Sequence, residues 1–362
     1  MPADPAVLAE AKALRQQFEA LGGQVVTADL LLPSETLLDL YGEDIRARAY
    51  VTQDPIRGEM MLRPDFTLPV VQMHMETFAE PARYTYSGKV FRKQEDAAGR
   101  PSEYIQVGYE VFDGKAPAKA DAEVYAAIAK ALDGLPVRAS TGDIGILMAA
   151  VRGLSTLQIR KDALLRHIWR PRRFRALLDR YGGRSSVPLT RAALLASADP
   201  WANAGPDIGL RDRADIEARL AFLREDASAP PLSSEEIGLI DAILSIRESA
   251  PIALSHLRDI AVDLPAIGPA VARMSERLDA LAAKGVDVDD LDFEGSYGRT
   301  SLEYYDGFVF GFTSTLRPDL PAVATGGRYD ALTRVLGQGR SVPAVGAVIR
   351  PDIVHLLREG AQ

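Results

Sequence analysis

Four short segments carry side chains able to do chemistry, and each also has a purely structural reading. In Leu62-Arg63-Pro64-Asp65-Phe66-Thr67, a carboxylate and a hydroxyl follow a proline at the expected start of a helix. They can cap free helix N–H groups or hold a ligand. In Glu103-Tyr104-Ile105-Gln106-Val107-Gly108-Tyr109-Glu110, Gln106 and Glu110 are an even number of residues apart, so on a strand they share one face. Burying Gln and Glu together without polar partners is costly, so that face is either solvated or a ligand site. In Leu302-Glu303-Tyr304-Tyr305-Asp306-Gly307-Phe308-Val309-Phe310, a tyrosine pair leads into an apolar strand, which suits core packing as well as a pocket. Gly326-Gly327-Arg328-Tyr329-Asp330 places paired glycines before an arginine, which permits close backbone approach to a ligand or makes a simple turn.

The pattern around these segments predicts the elements that must position them. Val7, Leu8, Ala11, Leu14, Phe18 and Leu21 recur at helical spacing until Gly22-Gly23, so the chain opens with an amphipathic helix. Over 49–142, short β-rich runs at 83–86, 89–92 and 104–109 follow one another with too few residues between them for helical crossovers, which predicts an antiparallel sheet. A helix over 120–132 and a strand over 137–140 come next. Residues 144–284 read as helical throughout, broken at Pro171, Pro188, Pro200 and the linker 227–231. Strand signals return at 290–293, 304–313, 321–325 and 344–349, with a helix over 329–336. The sheet is therefore expected to be completed from both ends of the chain, as an α+β core of 1–143 and 290–362 around a helical insertion of 144–289.

Composition narrows the chemistry. With no Cys among 362 residues, disulfides, thiolate metal sites and Cys nucleophiles are excluded. The four His, at 74, 167, 256 and 355, form no metal-ligand pair of the usual spacing, so neither a metal nor a cofactor is expected. The net charge of −8 argues against broad attraction to nucleic acid. A local exception is Arg166, Arg170, Arg172, Arg173 and Arg175 around Trp169, readable as an RNA grip, a protein contact or a solvated helix end. The start of the sequence lacks a secretory pattern and no run suggests a membrane span, so a cytoplasmic protein is expected.

Taken together, in this order and spacing, the four segments resemble histidyl-tRNA synthetase and its paralogues, of the class II aminoacyl-tRNA synthetase fold. The resemblance spans about 30–145 and 290–357. It implies that Asp65, Thr67 and Gln106 hold the α-ammonium of histidine, and that Glu110 and Tyr304, the first of the pair Tyr304–Tyr305 that matches the family's histidine-specific motif, hold the imidazole. It also puts Arg92, Arg299 and Arg328 on the nucleotide and phosphate side, and Pro33-Ser34-Glu35 with Leu37, Leu38 and Leu40 at a homodimer interface. The ligand chemistry is reasonable, since an ammonium needs acceptors and an imidazole N–H needs a carboxylate or hydroxyl.

The departures point away from catalysis. An arginine of the family's third motif is matched by Ile353, with Arg350 three residues earlier; one of its histidine-specific motif is matched by Thr300, with Arg299 one position off. In the second motif Gln94 and Ser102 replace charged residues. Adenylate formation needs cationic groups as charge develops, so histidine-handling positions survive while ATP-handling ones are altered. The sequence runs only one helix beyond Ile349, so no anticodon-binding domain and no tRNA partner are expected. The resemblance thus implies a non-catalytic regulatory paralogue, required by a short-form ATP phosphoribosyltransferase catalytic subunit in a hetero-oligomer, with histidine as effector. The alternatives are an ATP-dependent histidine-activating enzyme, and a scaffold that has lost the pocket.

Overall fold

The structure, a computed structural model, describes residues 4–35, 49–94, 101–202, 204–205, 212–299 and 304–360. Leu37, Leu38 and Leu40 of the expected dimer segment and Thr300 lie outside the described residues. The chain opens with α1 (Pro5–Ala20), capped by the Asp4 side chain on the Ala6 N–H, and β1 (Gln24–Val25). A small sheet of β2 (Leu31–Pro33), β3 (Val51–Asp54) and β4 (Gly58–Leu62) follows, then α2 (Thr67–Thr77). The long hairpin β5 (Ala82–Phe91) and β6 (Glu103–Phe112) leads to α3 (Pro117–Ala131) and β7 (Val137–Asp143).

Helices fill most of the next stretch: α4 (Ile144–Gly153), α5 (Gln158–Arg166), α6 (Pro171–Tyr181), α7 (Leu189–Ala196), α8 (Arg213–Ser228) and α9 (Ser234–Ser245). Strand β8 (Arg247–Ser249) then precedes α10 (Ala250–Asp263) and α11 (Gly268–Ala282). The last part holds β9 (Asp292–Glu294), β10 (Phe308–Ser314), β11 (Ala324–Arg328), α12 (Asp330–Leu336), β12 (Ala344–Ile349) and α13 (Pro351–Gly360).

The main sheet has nine strands in the order β1-β5-β6-β12-β11-β10-β7-β9-β8. Its centre alternates contributions from both ends of the chain, as the strand signals predict. It is mixed rather than wholly antiparallel, because β1 runs parallel to β5 and β7 parallel to β9. Two further differences from the expected pattern have physical causes. The runs at 83–86 and 89–92 form one strand, since Gly88 between them pairs with Gln106 and the ladder continues. Gly88 is required there because a Cβ would come within 2.7 Å of the Arg63 guanidinium and 2.8 Å of the Phe66 ring. Strand β8 interrupts the helical stretch; at three residues it is too short to show a period, and it is fixed by pairing with β9.

The two faces of the sheet have different covers. Helices α1 and α3 lie on one, where Phe18 stacks on Tyr109 at 5.2 Å and Tyr125 meets Phe308, Phe310 and Phe312. Helix α2 lies over the other, where Phe66 stacks on Tyr86 at 4.4 Å. Among the described residues no helix is long and apolar enough to cross a membrane.

Candidate functional site

The face under α2 carries Tyr84, Tyr86 and Gly88 on β5, Gln106, Gly108 and Glu110 on β6, Gly346 on β12 and Gly327 on β11, all linked by direct cross-strand pairing. The glycines make the room. A Cβ on Gly108 would strike the Tyr86 ring, one on Gly346 would fall on the Glu110 carboxylate, and one on Gly327 would lie 2.7 Å from Tyr305. A polar floor is thereby recessed into an otherwise packed sheet.

Glu110 lies at the centre of that floor and is 1% exposed. Its Oε1 accepts from the Thr67 hydroxyl at 2.9 Å and the Tyr86 hydroxyl at 2.8 Å, and its Oε2 accepts from the Tyr329 hydroxyl at 2.6 Å. Burial nevertheless outweighs these three bonds and pushes the carboxyl up to about 7. Asp65 is also buried and also shifted upward by burial, with Arg92 and the backbone N–H groups of Leu68 and Thr67 acting against the shift. Its Oδ1 accepts from the Leu68 N–H at 3.4 Å, so the helix-start role and a place in the pocket coexist in one side chain. Arg92 donates from Nε to the Pro64 carbonyl at 2.9 Å, which ties it to the Asp65 turn.

Gln106 is 2% exposed, and its Oε1 has no hydrogen-bond partner among the described residues. A buried acceptor without a donor is uncommon in folded proteins. The tyrosine pair closes the site: Tyr304 and Tyr305 meet edge to face at 4.8 Å, and Tyr304 meets Tyr329 at 6.1 Å. The Tyr305 hydroxyl is pushed up by burial, then by the negative charges of Glu110 and Asp65, with Arg92 opposing. Asp65, Thr67, Gln106, Glu110, Tyr304, Tyr305 and Arg92 thus form one neighbourhood.

Arg299 and Arg328 do not join it. The Arg299 Nε donates to the Ile168 carbonyl at 2.8 Å and its guanidinium lies 4.7 Å over the Phe174 ring, against the helical segment. Burial and Arg175 push it down to about 10. Arg328, next to Gly327 on β11, points to the opposite face, where it pairs with Asp121 at 2.7 Å and Asp330 at 2.9 Å. The basic cluster is partly turned inward: Trp169 donates from Nε1 to the Tyr305 carbonyl at 3.2 Å, and Arg175 pairs with Asp241. Of the positions expected to have lost ATP-handling groups, Ile353 is buried in α13, while Arg350 pairs with Asp352 at 2.8 Å and lies 4.0 Å over Tyr104. Sequence reasoning missed Tyr86 and Tyr329 as partners of Glu110; the alternation Tyr84, Tyr86, Gly88 places Tyr86 on a definite face, but nothing local tells which neighbour it meets.

A mostly antiparallel sheet with a recessed polar floor, a long β5–β6 hairpin and a glycine-bearing β11–β12 pair defines a class II aminoacyl-tRNA synthetase-like core. The comparisons agree. The family model for histidyl-tRNA synthetase matches residues 5–198 and 212–354, and the chain belongs to that family. It is 29% identical over 367 residues to the ATP phosphoribosyltransferase regulatory subunit of Brucella ovis, covering 95% of this chain and 96% of that one. The fold is similar to an ATP phosphoribosyltransferase regulatory subunit/histidyl-tRNA synthetase from Bacillus halodurans C, with TM-score 0.67 and 21% identity over 97% of this chain and 79% of that one. It is also similar to histidyl-tRNA synthetase from Nostoc sp. PCC 7120, with TM-score 0.64 and 19% identity over 98% of this chain and 72% of that one.

Proposed function

We propose that the Glu110 pocket binds free histidine, and that the chain is the regulatory subunit of an ATP phosphoribosyltransferase, required by a short-form catalytic subunit and reporting histidine to it. The observation that carries the reading is the buried Gln106 Oε1, unpartnered among the described residues, on the same sheet face as Glu110, with a second buried carboxylate, Asp65, beside it. Two buried acids and an orphaned acceptor call for a ligand rich in donors and positive charge. Histidine supplies both: its α-ammonium suits Asp65, Thr67 and Gln106, and its ring N–H suits Glu110 with the Tyr304–Tyr305 pair beside it.

The regulatory role rests on the Brucella relative, whose name says as much, and on how the ATP-side residues are used. Ile353 offers no charge, and Arg350 is committed to Asp352 and Tyr104. Phosphoryl displacement needs free cationic groups at that point. Calorimetric titration of the chain with histidine tests the pocket: saturable binding is expected, weakened at least about tenfold in Gln106→Ala. Absence of any binding heat together with an unchanged melting temperature at high histidine would remove the reading.

A further inference from the structure

Two stretches of chain that close the Glu110 pocket lie beyond the end of the ladder between their strands. Strands β10 and β11 pair from Phe312–Ala324 to Val309–Gly327, where the ladder ends. Tyr304 and Tyr305 precede that end on one strand, and Tyr329 follows it on the other. Yet the Tyr304 and Tyr329 rings meet at 6.1 Å, and the Tyr329 hydroxyl reaches Glu110 at 2.6 Å. Within a ladder, pairing sets the spacing of facing side chains; beyond it another tie has to do so.

Asp306 supplies that tie. Its N–H donates to the Arg328 carbonyl at 3.0 Å, and its carboxylate accepts the Asp330 N–H at 2.9 Å and the Ala331 N–H at 2.7 Å. Both N–H groups belong to the first turn of α12, where no intrahelical acceptor exists. The N-cap residue of that helix is Tyr329, whose side chain makes no capping bond among the described residues. Ser, Thr, Asp or Asn at 329 would cap the helix locally. The tyrosine instead directs its hydroxyl to Glu110, and the cap comes from a carboxylate 24 residues earlier in the chain. Asp306 works from behind the pocket, since it lines the cleft on the opposite side of the sheet with Arg328 and Asp330. Packing there leaves little play: a Cβ on Gly307 would lie 3.0 Å from the Arg328 side chain. The Tyr329 N–H is held in turn by the Ala344 carbonyl at 3.0 Å.

We infer that Asp306 is a positioning residue of the Glu110 site: it fixes the tyrosine turn against the start of α12 and so keeps the Tyr329 hydroxyl on Glu110. Its effect on histidine rests on the proposed histidine pocket; its effect on Glu110 does not.

The test has two readouts on the full chain, for the native sequence, Asp306→Ala, Asp306→Asn, Tyr329→Phe and the pair Asp306→Ala/Tyr329→Phe. The first is the titration of the Glu110 carboxyl, followed by carbon NMR without ligand. The Tyr329 bond lowers that titration, so Tyr329→Phe should move it above the native value of about 7. Asp306→Ala should move it the same way, and the double variant no further. Removing a negative charge alone would move it down, so the sign identifies the cause. The second readout is histidine affinity by calorimetry, expected about tenfold weaker in Asp306→Ala and less weakened in Asp306→Asn, which retains one acceptor oxygen. Because Asp306 acts through Tyr329, adding Asp306→Ala to Tyr329→Phe should change affinity less than about twofold. The inference is overturned if Glu110 titrates unchanged or lower in Asp306→Ala, or if the double variant shows the sum of the single losses, as a general loosening of the fold would give. If melting shows that Asp306→Ala does not fold, Asp306→Asn takes its place in the same comparison. A native chain that binds no histidine would end the pocket reading, while the carboxyl titration would still decide the role of Asp306.

Discussion

At Glu110 two demands oppose each other: burial favours the neutral acid, and the hydroxyls of Thr67, Tyr86 and Tyr329 favour the anion. The folded group titrates at about 7, above its ordinary 4.5. Between those values the folded state holds a proton that the unfolded chain has released, so the stability contributed by this group is lost as pH rises from about 4.5 to about 7. A bound imidazole N–H favours the anion, so histidine binding should expel that proton. Affinity is then expected to fall about tenfold from pH 8 to pH 6, beyond the ligand's own titration. Calorimetry across this range checks it, and Glu110→Gln, which shares the ligand's titration, should lose the extra dependence. Gly346→Ala is the steric counterpart: its Cβ would meet a carboxylate pinned by three hydroxyls, costing about 1–3 kcal/mol and most of the histidine affinity. A variant with unchanged melting temperature and affinity would contradict it. The pocket was legible where residue type and parity suffice, as for Gln106 and Glu110 on one strand face. Tyr86 and Tyr329 were not, since their meeting with Glu110 depends on strand register and on a turn more than two hundred residues away.

At the scale of elements, glycine and very short strands explain what the sequence pattern left open. Gly88 looks like a break, but cross-strand pairing carries β5 through it; β8 has too few residues to alternate. The helical stretch was readable from its period, while the device that joins its parts was not. Arg160 of α5 is buried against Asp226 of α8 at 2.7 Å and also donates to the Pro230 carbonyl at 2.7 Å, with Arg180 of α6 on the same carboxylate. Arg160, Arg180 and Asp226 are far apart in sequence. Removing the anion leaves Arg160 desolvated and unpaired, so Asp226→Ala should cost about 3–5 kcal/mol in chemical denaturation. Histidine affinity should persist in whatever remains folded. A loss below about 1 kcal/mol would mean that water replaces the carboxylate.

At the scale of the whole molecule, the proposed regulatory role needs a ligand pocket that binds histidine and an ATP side that no longer supports catalysis. Histidine-dependent pyrophosphate exchange should be absent, since loss of even one charge-stabilising group commonly costs about 10²–10³ in rate. The chain is expected to be a homodimer through the segment that begins at Pro33, and light scattering showing a monomer at micromolar concentration would count against that interface. The central claim is that histidine held by Glu110 controls a partner's activity, and linkage makes that control proportional to differential binding. The most direct measurement is the rate of a short-form catalytic subunit mixed with this chain, across histidine concentration, for the native sequence and for Glu110→Ala. Mixing should restore the rate and histidine should inhibit it. In Glu110→Ala the curve should move to about 10- to 150-fold higher histidine with the uninhibited rate nearly unchanged. Superimposable curves from complexes that both assemble would contradict the account.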